Sequence, residues 1–125
     1  MVFFVYNLDV INAIVNLKPT TGNSVSGYIK FQQNISNTNG NEPMTISGLI
    51  QGINPGEQHA LNVHQFGDIS SLDGGRVGGH YNPFKVSHGC PSINATRHPG
   101  DFGNLPPANG TGFIVISNLN TDLIT

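Results

Sequence analysis

The amino-acid sequence predicts an all-β protein, a sandwich or barrel built from short antiparallel strands. Sixteen glycines, sixteen asparagines and eight prolines make up nearly a third of the 125 residues, a composition typical of a chain with many turns. No long stretch has the 3.6-residue apolar periodicity of an amphipathic helix. Short segments of alternating or β-branched residues recur instead at regular spacing, as in sandwiches and barrels.

Five segments have strand character. The second to fourth alternate apolar and polar residues, and the last is the strongest β-branched run. In chain order they are 13–17 (AIVNL), 24–32 (SVSGYIKFQ), 45–53 (TISGLIQGI), 60–66 (ALNVHQF) and 112–117 (GFIVIS). Turn-forming residues separate most of them, at 19–23, 37–42, 54–56 and 109–110.

Charge, hydropathy and cysteine content exclude several classes of protein. The net charge is −2, and five Lys and Arg residues do not supply the basic patch of a nucleic-acid-binding groove. No apolar run approaches the roughly 20 residues of a membrane-spanning helix. The N-terminus lacks the basic region of a signal peptide, so we expect a cytoplasmic protein. A single cysteine, Cys90, excludes an intramolecular disulfide and a cysteine-rich zinc site.

A long segment rich in Gly and Pro, residues 67–103, has little strand character and holds three of the five histidines. Loops of this length in compact domains are usually functional or disordered. Three imidazoles and one carboxylate lie within 22 residues of one another here, and they form a suitable tetrahedral set for Zn²⁺. The candidate ligands are His80, His88, His98 and Asp101. The alternative interpretation is a group of surface loop histidines.

Four motifs extend this interpretation: LNVHQFGD (61–68), GGHYNP (78–83), SHGCP (87–91) and RHPGDFGN (97–104). In order, spacing and flanking residues they resemble the metal-binding motifs of copper,zinc superoxide dismutase, and the resemblance extends from Ala13 to the C-terminus. It implies a Greek-key β-barrel, here incomplete, with about six of the eight family strands and a long metal-binding loop. The expected domain therefore covers residues 13–125, after an N-terminal extension at 1–12.

The N-terminal extension contains VFFVY at residues 2–6, a strong strand-forming sequence. The missing family strands would leave open sheet edges, which invite pairing with another chain. We expect Val2–Tyr6 to form an additional strand that covers the edge beside the first strand. The alternative is a frayed, apolar N-terminus.

The resemblance implies that the zinc ligands are His80, His88, His98 and Asp101, and that His80 also bridges zinc to copper. The copper site departs from the family pattern. His64 and His80 match two of its four histidines, Asn62 stands in place of a third, and the fourth has no counterpart in the 125 residues. Nearby His59 matches a family position that does not bind metal. Zinc is therefore the expected cofactor, and copper binding is expected to be impaired.

Other family features also lack counterparts in the sequence. These are the active-site arginine, the charged loop that steers superoxide, and both cysteines of the family disulfide, one of them expected near residues 74–75. Cys90 replaces a glycine of the third motif. Both metal sites are thereby expected to lose a carboxylate that orients them, and such partners typically change affinity 10- to 100-fold.

Three functional hypotheses follow. The first is a superoxide dismutase-like zinc protein with little or no dismutase activity, which acts by binding, as a homodimer or as a partner or decoy of a full-length superoxide dismutase. The second is an active enzyme whose copper site is non-standard or completed by a partner. The third is a fragment that needs further strands to fold.

Overall fold

The computed structural model describes residues 10–35, 43–90 and 96–121, which form two antiparallel β-sheets. The six strands are β1 (Val10–Leu17), β2 (Ser26–Asn34), β3 (Met44–Gln51), β4 (Ala60–Asn62), β5 (Asp101–Asn104) and β6 (Phe113–Thr121). One turn of 3₁₀-helix lies at Gly75–Val77. These three ranges contain no α-helix, and no helix among them is long and apolar enough to cross a membrane. The predicted all-β class is confirmed.

The larger sheet has the strand order β1-β2-β3-β6, and the smaller sheet pairs β4 with β5. In the larger sheet Leu17 is paired with Gly27, and Gln51 with both Ser26 and Phe113. Hydrogen bonding does not close either sheet into a barrel within the part of the chain that the structure describes. Among the described strands, β1 and β6 are therefore the outer strands of the larger sheet.

The hydrophobic core consists mainly of isoleucines from the larger sheet and of residues in and after β5. Ile46 and Ile114 are at most 1 % exposed. Full burial of such a side chain contributes about 1.5–3 kcal/mol. Leu61 and Val63 pack against this core from the smaller sheet. The buried core residues are Ile29, Ile46, Ile50, Phe102, Leu105, Ala108, Ile114 and Ile116.

The five predicted strand segments correspond to β1, β2, β3, β4 and β6, with shifted ends. The predicted strand at 60–66 is regular only over Ala60–Asn62, because the pairing with β5 shifts register between Leu61 and Asn62. Strand β1 begins at Val10, three residues before the predicted domain boundary. The N-terminal strand expected at 2–6 and the turn expected at 37–42 lie outside the described residues.

Strand β5 was not predicted, because it forms the end of the segment assigned as the metal loop, 67–103. Its sequence DFGN contains three residue types that are depleted in strands, and Gly103 has a φ of 83°. Pairing with β4 and burial of Asp101 and Phe102 outweigh these weak local preferences. Asp101 is therefore presented by a strand and not by a loop.

Candidate metal centre

Three short backbone hydrogen bonds bring the candidate ligands together. The Val63 N–H donates to the Gly100 carbonyl at 2.9 Å, and the Tyr81 N–H donates to the Val63 carbonyl at 2.7 Å. The Gly100 N–H donates to the Tyr81 carbonyl at 3.1 Å. The chain after β4 thus bonds both to the segment that contains Tyr81 and to the turn that contains Gly100, just before β5. Tyr81 and Gly100, about 20 residues apart in the sequence, become neighbours.

Close packing requires glycine at position 100. A Cβ atom there would lie 2.5 Å from the Val63 carbonyl oxygen and 3.1 Å from Cβ of Tyr81. Real Cβ atoms essentially never approach another atom as closely as 2.5 Å. Because Gly100 immediately precedes Asp101, any displacement of this backbone would move the carboxylate.

The carboxylate of Asp101 lies at the centre of the site and is 1 % exposed. Its Oδ1 atom is 2.6 Å from Nδ1 of His80. Its Oδ2 atom is 2.9 Å from Nδ1 of His88 and accepts hydrogen bonds from the N–H groups of Gly89 and His98, at 3.3 and 3.2 Å. Burial raises the pKa of this carboxyl, but the hydrogen bonds from His80 and the two backbone groups outweigh it. The net result is a pKa below the usual 3.8.

His98 is oriented so that its Nδ1 atom faces Asp101. Its Nε2 atom lies 3.1 Å from the Val86 carbonyl oxygen, which can only accept, so Nε2 carries a proton and donates it to this carbonyl. The buried Nδ1 atom has no hydrogen-bond partner, although it lies 3.3 Å from Oδ2 of Asp101. In the neutral form of this tautomer the Nδ1 lone pair faces the carboxylate, an arrangement in which one metal ion can be bound by both groups.

The ligand atoms of the four predicted residues lie within 4.8 Å of one another, so the structure brings together the whole set. His80 and His98 are mostly buried, whereas His88 is 65 % exposed. Three imidazoles with one carboxylate fit a tetrahedral Zn²⁺ site, and the unpartnered Nδ1 of His98 fits a metal ligand. The set is His80, His88, His98 and Asp101.

His64 lies beside His80. The two residues form an isolated β-bridge, and their rings meet edge to face with centroids 5.2 Å apart. The Nδ1 atom of His64 bonds to the Gly78 carbonyl at 2.9 Å, which leaves Nε2 as its free lone pair. Nδ1 of His80 faces Asp101, and the ring of His80 contacts the ring of His64.

Asn62 and His64 lie on the same face of the chain, because side chains alternate along an extended segment. Leu61 and Val63 occupy the opposite face and pack against the core. Asn62 is half-buried and is paired with Asp101 in the sheet register. The residue that replaces a family histidine is therefore next to His64 on the face that points away from the core.

His59 is not part of this centre. It forms an ion pair with Glu57 at 3.4 Å and is half exposed. It precedes β4, whereas His64 follows it, and five extended residues span roughly 16 Å. This geometry agrees with the expectation that His59 does not bind metal with His64.

Asn82 supports the centre in a way that the sequence analysis did not predict. Its side chain donates to the Val86 carbonyl at 2.8 Å and accepts from the Val86 N–H at 3.1 Å. The same Val86 carbonyl orients His98. Asn82 belongs to the GGHYNP motif, which identified this segment in the sequence, but only the fold shows that Asn82 acts on His98 through Val86.

The fold and site together define a β-sandwich protein with a three-histidine, one-aspartate metal centre. A family model described as "Copper/zinc superoxide dismutase (SODC)" matches residues 25–125. The chain is 38 % identical over 106 residues to "Superoxide dismutase [Cu-Zn] 5" of Dictyostelium discoideum, a match that covers 83 % of this chain and 62 % of that protein.

Two further relatives agree. The chain is 40 % identical over 115 residues to "Extracellular superoxide dismutase [Cu-Zn]" of Brugia pahangi, covering 90 % of this chain and 52 % of that protein. It is 39 % identical over 97 residues to "Superoxide dismutase [Cu-Zn]" of Saccharomyces cerevisiae, covering 76 % and 56 %. The chain belongs to the copper/zinc superoxide dismutase family, and it spans between half and two thirds of the length of these relatives.

Proposed function

We propose that this chain is a zinc-binding member of the superoxide dismutase family with an impaired copper site and little or no dismutase activity of its own. The observation that carries the proposal is the contrast between two neighbouring sites. The four-residue cluster has all its predicted zinc ligands, whereas Asn62 stands beside His64 where the family has a histidine.

Zinc binding is supported by the electrostatics around Asp101. The carboxylate is buried and its pKa is lowered, so it is ionised at neutral pH. Nδ1 of His98 faces it and is the nitrogen left available to a metal ion. In this site zinc would supply a structural link between β5 and the preceding loop, without redox chemistry. His80, His88, His98 and Asp101 would hold it.

The impaired copper site is supported by ligand chemistry. Superoxide disproportionation requires a redox-active metal, and Cu(I) prefers imidazole or soft ligands. Asn62 offers an amide oxygen, which suits hard cations better. Among the described residues, only His64 and His80 offer imidazole nitrogens on this side of the centre. Two imidazoles would hold copper weakly.

An active enzyme is the second candidate function, and the geometry of His64 favours it. Its Nδ1 is fixed by Gly78, its ring lies beside His80, and it is exposed. The remaining ligands could then come from further sequence of a longer protein or from a partner chain. In that case His64 would contribute to a copper site whose remaining ligands lie outside the described residues.

Metal loading distinguishes the two candidate functions. The protein is stripped of metal, incubated with zinc and copper, desalted, and analysed by native mass spectrometry and a superoxide dismutation assay. One zinc and no copper per chain, without metal-dependent activity, supports the first proposal. One zinc and one copper with activity overturns it and supports the enzyme.

Two substitutions at position 62 sharpen this test. Asn62→His should increase copper affinity by at least about 100-fold if the missing imidazole is the limiting defect. Asn62→Ala is the matched control and should leave zinc binding and the already weak copper binding unchanged. A large loss of copper on Asn62→Ala would mean that the amide is a working ligand, contrary to the proposal.

Partners and compartment are separate parts of the proposal. We propose that the chain pairs with a second copy or with a full-length superoxide dismutase, and that it works in the cytoplasm without nucleic-acid or membrane partners. One relative carries "Extracellular" in its name, so localisation of the tagged protein in its source cells is the decisive measurement. Analytical ultracentrifugation with and without a full-length superoxide dismutase tests the pairing.

A further inference from the structure

A turn in the metal-binding segment, residues 82–86, has exposed side chains and a strained backbone. The Lys85 N–H donates to the Asn82 carbonyl at 3.3 Å. Lys85 has a φ of 53°, a left-handed conformation that is unfavourable for a residue with a Cβ atom. Phe84 is 61 % exposed, and Pro83 and Lys85 are exposed too. Strained conformations persist only where surrounding contacts impose them, and these exposed side chains supply few.

The side chain of Asn82 supplies such contacts by binding both polar backbone groups of Val86. Its Nδ2 atom donates to the Val86 carbonyl at 2.8 Å, and its Oδ1 atom accepts from the Val86 N–H at 3.1 Å. Only this orientation of the amide pairs a donor with an acceptor at both positions. Asn82 and Val86 are half-buried, which limits competition from water. Two bonds from one planar group therefore fix the direction of the Val86 carbonyl.

The Val86 carbonyl in turn orients the imidazole of His98. It accepts from Nε2 of His98 at 3.1 Å in addition to the bond from Asn82, and a carbonyl oxygen has lone pairs for both. Within the described part of the chain, the other ring nitrogen of His98, Nδ1, has no hydrogen-bond partner. The side chain is 15 % exposed, so water offers it little alternative. The direction of this carbonyl therefore sets the direction in which Nδ1 points, toward Asp101.

We propose that Asn82 is a positioning residue of the metal centre, which holds His98 in its metal-binding orientation before a metal ion arrives. This role rests on the proposed zinc-binding function and adds a residue outside the four-ligand set. A ligand that is already held in place loses less conformational freedom when it binds. Both polar atoms of the Asn82 side chain are engaged by Val86. Asn82 thus raises zinc affinity through Val86 and His98, without offering a ligand atom itself.

A purely structural role is the alternative, in which Asn82 stabilises the turn and packing alone holds His98. The two roles differ in their effect on the Nε2 proton of His98. If Asn82 positions His98 through Val86, loss of the amide weakens the hydrogen bond of this proton and accelerates its exchange with water. If Asn82 only stabilises the turn, the melting temperature falls and the exchange of this proton keeps its rate.

Imidazole proton exchange in the zinc-free protein, followed by ¹H–¹⁵N NMR, is the first measurement. Asn82→Ala should accelerate exchange of the His98 Nε2 proton by about fivefold or more, the factor that corresponds to one neutral hydrogen bond. Phe84→Ala is the matched control, because it truncates an exposed side chain of the same turn, and it should change the rate by less than about twofold.

A second substitution at position 82 covers the case in which Asn82→Ala fails to fold. Asn82→Asp keeps the acceptor for the Val86 N–H and removes the donor to the Val86 carbonyl. It should therefore accelerate exchange of the His98 Nε2 proton as well. An unchanged rate in a folded variant at position 82, or an equal acceleration by Phe84→Ala, would overturn the proposal.

Zinc affinity, measured by competition with a chelator, is the second measurement. We expect Asn82→Ala to bind zinc about tenfold more weakly than the unmodified protein. Phe84→Ala should bind it with an affinity within about twofold of the unmodified protein. Equal zinc affinities of Asn82→Ala and the unmodified protein would overturn the proposal. If the unmodified protein itself bound no zinc, the proposed function would fail, and the proton exchange alone would decide whether Asn82 positions His98.

Discussion

Nδ1 of His98 lies 3.3 Å from Oδ2 of Asp101, and these two atoms share no hydrogen bond. The backbone of the same turn stabilises the pair, because the His98 N–H donates to this carboxylate oxygen and the Val86 carbonyl fixes the imidazole tautomer. Local polar contacts therefore position both groups so that Nδ1 and Oδ2 can bind one metal ion together. This relationship makes the metal centre testable residue by residue.

Substitution of His98 should abolish tight zinc binding. We expect His98→Gln to lower zinc affinity by at least about 100-fold, because an amide is a poor zinc ligand and the tetrahedral set loses one member. Competition with a chromophoric chelator measures the affinity. His59→Gln is the matched control, since His59 is exposed and pairs with Glu57. Equal affinities of the two variants would show that His98 is not a ligand.

Zinc should stabilise the folded chain, because its ligands converge only in the folded state. At a free zinc concentration about 100 times the dissociation constant, the gain is about 2.7 kcal/mol. For a domain of this size this should raise the melting temperature by roughly 8–15 °C. Differential scanning calorimetry with and without a chelator measures the shift. Stoichiometric zinc binding without any shift would contradict a structural role.

Gly100→Ala should damage the zinc site although residue 100 carries no ligand atom. The added Cβ would meet the Val63 carbonyl at 2.5 Å and force the backbone before Asp101 to move. We expect zinc affinity to fall by about tenfold or more, by misplacement of the carboxylate. Gly79→Ala is the control, because a Cβ there meets no atom within 4 Å. Chelator competition measures the zinc affinity of both variants. A zinc affinity of Gly100→Ala equal to that of the unmodified protein would refute the packing argument.

The stability of the hydrophobic core should depend strongly on the buried side chains of β6. Ile114→Ala removes a side chain that is 1 % exposed and should cost about 2–5 kcal/mol of unfolding free energy. Val115→Ala, at the next residue, changes a side chain that is 60 % exposed and should cost about 0.5 kcal/mol or less. Urea denaturation measures the unfolding free energy of both variants. A broad, non-cooperative transition in the unmodified protein would instead favour the hypothesis of a fragment that needs further strands.

Much of the fold could be predicted from alternation and turn residues. The segments around Ile29, Ile46 and Ile114 have strong strand preferences, and each forms a long strand of the larger sheet. Short elements could not be predicted in this way. Strand β5 has only four residues, of low strand propensity, and it exists because β4 and the core lie beside it.

The sequence by itself determined the family and the composition of the metal centre, because residue types at fixed spacing specify ligand chemistry. It also identified Asn62 as the departure from the family pattern. Only the tertiary structure decided which atoms face one another: the buried carboxylate of Asp101, Nδ1 of His98, and the carbonyl of Val86 held by Asn82. These depend on hydrogen bonds between residues distant along the chain, and local sequence preferences do not encode such contacts.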